Sequence, residues 1–227
     1  MPTPEKHALL SASSAHRWLH CTAAPRFEEQ FPENTSEYAE EGRLAHAICE
    51  LKVLKHFVTP MGPRTFTTRL NKLKKDPAYN PEMDKTSDLY LEHLTERAMQ
   101  YNAKPNVAVE VQVDFTEYVP EGFGTCDCIM IGSDTLNITD YKHGKGVPVS
   151  AENNPQMRLY ALGALKRYKP VYDGSIKKVC MTIDQPRIQT EPSSETITVE
   201  DLLAWGESIK PIAAKAYMGL GAFCPGE

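Results

Sequence analysis

No apolar run in this 227-residue sequence approaches the roughly 18 residues that a membrane-spanning helix requires. The opening stretch MPTPEKHALLSASSAHRWLHC also lacks a signal-peptide core followed by a small-residue cleavage site, which predicts a cytoplasmic protein without a membrane partner. There is no Gly-rich strand-to-helix fingerprint for a dinucleotide or nucleoside triphosphate. Gly144-Lys145-Gly146 lacks the P-loop spacing, which weighs against a small-molecule enzyme on an α/β sheet. Nor does the cysteine content point to a disulfide scaffold: six cysteines in a chain of this size and compartment are expected as thiols or metal ligands. No repeat or low-complexity tract divides the chain, and 41% apolar residues suffice for a core, so residues 1–227 are read as one domain.

The net charge of −5 argues, taken alone, against a nonspecific polyanion binder. Its distribution argues the other way, because partners feel local fields. Between Asn137 and Cys180, eight Lys and Arg residues face three acidic ones, an excess of five positive charges, and the rest of the chain is correspondingly acidic. Glu28, Glu29, Glu33, Glu37, Glu40, Glu41 and Glu50 carry much of that acidity, while a second basic cluster follows at Arg64, Arg69, Lys72, Lys74 and Lys75.

Hydrophobic periodicity orders the chain. A helical N-terminal segment (1–35) opens at SASSAHRWL, where Ser11 or Ser13 can cap. A core segment (36–185) begins with a helix from Ser36 to about Phe57, with Tyr38, Leu44, Ala45, Ile48, Leu51 and Leu54 on one face. Residues 60–82, rich in Pro, Asn and Lys, read as a loop or insertion. A helix over about 85–103 follows, with Leu89, Leu91, Leu94 and Met99 inward. VAVEVQVDF then alternates with period two, GFGTCDCIMIG and TLNITDYK continue an antiparallel meander, and 154–168 reads as a helix. VCMTIDQ is a fourth strand, parallel to a neighbour because a helical crossover precedes it. A C-terminal helix lies within 199–227. The expected fold is mixed α/β: a central sheet of meander plus crossover strand, flanked by helices.

The chemistry concentrates in Gly124-x-x-Asp127 and Asp140-Tyr141-Lys142. On adjacent antiparallel strands, Asp127 and Asp140 lie side by side, and two such carboxylates repel unless a cation sits between them. Oxygen ligands of this kind suit Mg²⁺ or Mn²⁺. Lys142, two residues beyond Asp140, projects from the same face. A metal beside a lysine suits phosphodiester hydrolysis. Gln156 and Tyr160 lie one helical turn apart on the following helix, and His46 lies within the helix that contains Gly42-Arg43-Leu44-Ala45-His46. Cys126-x-Cys128, within a strand, is not expected to share a metal.

The order G-x-x-x-H, G-x-x-D, D-x-K, Q-x-x-x-Y, with the middle pair astride a hairpin, resembles the PD-(D/E)XK nuclease superfamily and its RecB-like exonuclease branch. The resemblance implies a restriction-endonuclease-like core. It also implies a metal held by His46, Asp127, Asp140 and the backbone carbonyl of Tyr141. Asp127, Asp140 and Lys142 would be catalytic, and Gln156 and Tyr160 would position DNA, with Arg158 and Lys145 as further DNA contacts. Glu110 is similar to a glutamate on the first strand of that superfamily, which implies a group supporting the metal ligands or binding a second metal. LSASSAHRWLHCTAAPRF resembles the opening of the AddB-type and CRISPR-associated iron–sulfur exonucleases. This places Cys21 and Cys224 as ligands of a [4Fe–4S] cluster, which four thiolates would complete only in a longer chain, with the C-terminal segment read as truncated. The whole also resembles a family carried by bacterial phages and prophages. It implies a DNA exonuclease in recombination or DNA processing, with a phage single-strand-binding or recombination protein as a partner. The alternative is the same fold as a catalytically idle DNA-end-binding or partner-binding module.

Overall fold

Val107, Val109, Val111 and Val113 alternate with neighbours that are mostly polar, and they form β1 (Asn106–Asp114) of a five-stranded mixed sheet. The computed structural model describes residues 8–31, 36–172 and 174–224. β2 (Phe123–Gly132) and β3 (Thr135–Tyr141) complete the antiparallel meander, turning at Ser133, which adopts φ of 52°. The helical crossover returns the chain as β4 (Lys178–Asp184), parallel to β3 as the topology requires. A fifth strand, β5 (Ser193–Thr198), pairs antiparallel with β4. It is half exposed and Ser/Thr-rich, so it carries no apolar alternation by which the sequence would have shown it.

Helices cover both faces of the sheet. On one side lie α3 (Glu37–Val53) and α5 (Glu82–Met99), whose Leu44, Ile48, Met83, Tyr90 and Leu94 pack with Cys128, Met130 and Tyr141. On the other lie α1 (Ala15–His20), the crossover α6 (Pro155–Tyr172) and α7 (Val199–Met218), over Ile129, Leu136, Ile138, Val179 and Met181. A short α2 (Ala24–Glu28) packs with α7. Local chemistry sets the helix starts. Ser36 accepts from the Ala39 amide, Asn154 Oδ1 from Met157 with Pro155 in the first turn, and Thr198 from Asp201. This is a restriction-endonuclease-like core of a mixed sheet flanked by helices. Among the described residues, no helix is long and apolar enough to cross a membrane.

Three local expectations are corrected. Residues 60–82 are not a simple loop: Pro63–Leu73 forms α4, whose half-buried Phe66, Leu70 and Leu73 recur at helical spacing with Pro63 at its start. α3 runs into it through a π-helical turn, Leu54–Val58. On α5 the buried stripe is Met83, Tyr90 and Leu94, whereas Leu89 is 39% and Met99 77% exposed. Tyr38 is 84% exposed, on the part of α3 that precedes its first buried residue, Leu44. Within the N-terminal segment 1–35, residues 1–7 and 32–35 lie outside the described residues, as do 225–227 at the C-terminal end.

Candidate metal centre

β1 and β2 keep one register along their length, yet the ribbon turns over at its middle. Val107, Val109, Cys128 and Met130 face the α3–α5 core, whereas Val111, Val113 and Cys126 face the α6 core. In a regular strand, residues two apart share a face. The reversal falls at the step occupied by Glu110 and Asp127, and Glu110 sits there at φ of 50°, in the left-handed region that a non-glycine residue enters at a cost of about 1–3 kcal/mol. β3 pairs with β2 only as far as Cys128, which leaves the rest of the ribbon free to coil over α6. The same reversal puts Cys126 and Cys128 in different cores, so they do not face one site.

Where the β2–β3 ladder ends, Asp127 takes over its hydrogen bonding: Oδ2 accepts from the Tyr141 amide at 2.7 Å. Asp127 Oδ1 lies 3.3 Å from His46 Nδ1 on α3. Ligand atoms of His46, Glu110 and Asp127 all lie within 4.8 Å of one another, a set able to hold a divalent cation. The electrostatics are those of crowded acids. Burial acts to lower the His46 pKa, but the charge of Asp127, with smaller contributions from Asp140 and Glu110, outweighs burial and raises it to about 9. Burial and then the Asp127 charge push Glu110 up to about 8. Desolvation acts to raise the pKa of the half-buried Asp127, yet His46, the Tyr141 amide and Lys142 hold it below the ordinary carboxylate range.

Beside this trio runs a second row. The buried Asp140 accepts from Gln156 Nε2 at 2.9 Å through Oδ1. Its Oδ2 stands 3.1 Å from Lys142 Nζ, close enough for an ion pair but out of line for a hydrogen bond, so this buried oxygen keeps a free lone pair. Burial, reinforced by Asp127 and partly offset by Lys142, raises the Asp140 pKa. Lys142, whose pKa burial would lower, is instead raised by Asp140, and its ammonium donates to Gln156 Oε1 at 3.0 Å. Gln156 Nε2 also reaches Tyr160 OH at 3.3 Å. Gly124 is the residue Tyr160 requires, since a Cβ there would stand 2.6 Å from its ring.

Thus His46, Asp127, Asp140, Lys142, Gln156 and Tyr160 come together, and Glu110 stands beside His46 and Asp127 rather than behind them. The Tyr141 side chain points away, its OH donating to Thr86 at 2.8 Å beneath the α3–α5 layer. Arg158 and Lys145 are engaged by acids from distant segments: Arg158 by Glu195 at 3.1 Å and Lys145 by Glu82 at 3.0 Å. A supporting network escaped the sequence reading. Buried Arg187 contacts Glu41, Glu82 and the His143 carbonyl at 3.2, 2.7 and 2.9 Å, tying α3, α5 and the loop after Lys142 together. No local motif marks Arg187, because its partners lie more than a hundred residues away or in a loop.

Cys21 and Cys224 do meet: the Cys224 amide donates to Cys21 Sγ at 3.3 Å, and this contact above all lowers the Cys21 pKa. The other four cysteines are buried elsewhere, so the described residues offer two thiols here, short of the four a [4Fe–4S] cluster needs.

A family model described as Protein of unknown function (DUF2800) matches residues 7–227. Among solved structures the chain is similar to an alkaline exonuclease (LHK-Exo) from Laribacter hongkongensis, at 12% identity and a TM-score of 0.36, covering 77% of this chain and 87% of that one. It is similar to the same protein in complex with dAMP at the same identity and TM-score, with 86% of that chain covered. It is also similar to SSO0001, at 13% identity and a TM-score of 0.33, with 92% and 88% covered.

Proposed function

The chain belongs to the family described as Protein of unknown function (DUF2800), and we propose that it is a divalent-metal-dependent deoxyribonuclease. The observation that carries this reading is the meeting of His46, Glu110 and Asp127 beside a buried Asp140 oxygen without a hydrogen-bond partner and a protonated Lys142. Carboxylates and one imidazole are donors for Mg²⁺ or Mn²⁺, held in this reading by His46, Asp127, Asp140 and Glu110, with the Tyr141 carbonyl as a further ligand. Such an ion supplies Lewis-acid polarisation of a phosphoryl oxygen and a bound water of lowered pKa.

The remaining work falls to this chain's own groups. The Lys142 ammonium, fixed between Asp140 and Gln156, orients the attacking water or offsets the charge that grows on the phosphoryl oxygens. Gln156 and Tyr160 hold the strand against it, and Gln156 keeps Lys142 and Asp140 in place. The exonucleolytic mode, and a role in phage recombination, rest on the motif resemblance alone.

Asp127→Ala and Lys142→Ala are each expected to abolish cleavage of DNA with Mg²⁺ or Mn²⁺ while the circular dichroism spectrum stays that of the folded protein. Cleavage at the wild-type rate by either variant would defeat the assignment.

A further inference from the structure

The basic excess counted between Asn137 and Cys180 is partly spent inside the fold. Lys142, Arg158 and Lys166 pair with Asp140, Glu195 and Asp114, and Lys145 with Glu82. Residues 51–75 differ: they hold seven Lys and Arg residues and no acidic one. Two of the seven are used internally, Lys52 at Asp88 and Lys74 at Asp84. Lys55 lies over the Phe66 ring at 4.0 Å. Arg64, Arg69, Lys72 and Lys75 are all exposed, and among the described residues none has an ion-pair partner. At 100° per residue these four positions fall on one side of α4 and its C-terminal turn, opposite the half-buried Phe66, Leu70 and Leu73.

We infer that α4 is a DNA-backbone-binding arm, which holds the phosphates of the strand leading to or from the metal centre. This rests on the nuclease reading of that centre and extends it. Position supports it. The C-terminal end of α4 is anchored where Lys74 and Lys52 both reach the start of α5, at Asp84 and its carbonyl. Lys52 follows His46 by six residues on α3, which is about 9 Å along the helix axis. Four unpaired cations, with Asp76 after Lys75 the acid next to them in sequence, fit a polyanion, because each phosphate they neutralise releases a condensed counterion. The exposed face carries Thr and Asn between the cations rather than aromatic rings, which suits backbone contact and not base readout.

The test uses the full chain with Lys142→Ala, so that DNA is not consumed, and compares it with the same chain also carrying R64Q, R69Q, K72Q and K75Q. Binding of labelled single- and double-stranded DNA is followed by fluorescence anisotropy across a salt series. The slope of log K against log salt is expected to become shallower by about three to four units for the four lost contacts, with affinity at ~0.1 M salt at least about tenfold weaker. A variant with only K72Q and K75Q, should the larger set disturb folding, is expected to lose about half that slope. An unchanged slope overturns the arm. In the Lys142-containing background, hydrolysis of a small chromogenic phosphodiester too short to reach α4 is expected to stay at the wild-type rate. A wild-type protein that binds DNA through these cations but cleaves nothing would sink the nuclease reading and leave the arm standing. Cleavage with an unchanged slope would do the reverse, and absence of any DNA binding would remove both.

Discussion

Adding the metal ion to the apoprotein should expel protons, and the number follows from the crowding of the acids. Without a cation, the His46 pKa stands at about 9 and that of Glu110 at about 8. Both must be deprotonated to ligate, so protons compete with the metal. At pH 7, His46 is almost fully and Glu110 about nine-tenths protonated, so binding should release roughly two protons, falling to about one at pH 8.5. The same competition weakens binding at pH 7 by roughly three orders of magnitude and at pH 8.5 by less than one, so affinity should climb about a hundredfold or more over that interval. The groups share one field, and the protons belong to the set rather than to single residues. Isothermal titration of Mg²⁺ or Mn²⁺ in buffers of different ionisation enthalpy counts them. Glu110→Gln, uncharged and similar in shape, should lower the count at pH 7 from about two to about one. If affinity changed less than about threefold between pH 7 and 8.5, with no dependence on buffer, the ion would not be held by this cluster.

Two further outcomes concern the scaffold. Gly163→Ala on α6 would place a Cβ 2.8 Å from Val113 Cβ and 3.3 Å from the Asp114 amide nitrogen. The overpacking, about 1–3 kcal/mol, should exceed the ~1 kcal/mol gained in helix propensity; urea denaturation should show a less stable protein, and a more stable variant would refute the packing argument. Arg187→Met should remove the contacts to Glu41, Glu82 and the His143 carbonyl, leaving Glu82 with Lys145, at a cost of about 3 kcal/mol. Thermal melting should then begin of the order of 10 °C lower, and an unchanged Tm would show that the network contributes nothing to stability.

β1 to β4 were legible because each carries its own signal, which the Ser/Thr-rich β5 lacks. Valine alternation marks β1, and the helix between β3 and β4 dictates their parallel pairing. The motif residues were legible for the same local reason, since Gly124, Asp127 and Asp140 sit on neighbouring strands, Lys142 directly follows β3, and Gln156 and Tyr160 lie one turn apart. What escaped depends on contacts remote in sequence. The charge count over 137–180 could not foresee that Glu195, Asp114 and Glu82 return to neutralise it. The Phe66, Leu70 and Leu73 spacing of α4 was present but lay among Pro, Asn and Lys residues that resemble a loop. Glu110 stood out only through the motif resemblance, since in the valine alternation it is one polar member of the strand. Its place in the trio follows from a backbone reversal that alternation does not encode.

Residue 110 is where the demands of folding and of ion binding part company. Its backbone conformation is one that glycine enters freely, and its side chain is an acid half-buried against another acid. A chain selected for stability alone would place neither there. The twist that reverses the ribbon also brings the carboxyl group to His46 and Asp127, so conformational strain and charge repulsion are concentrated at one step of one strand. A bound cation would relieve the repulsion and leave the strain, making the ion part of what sets the lifetime of the folded hairpin.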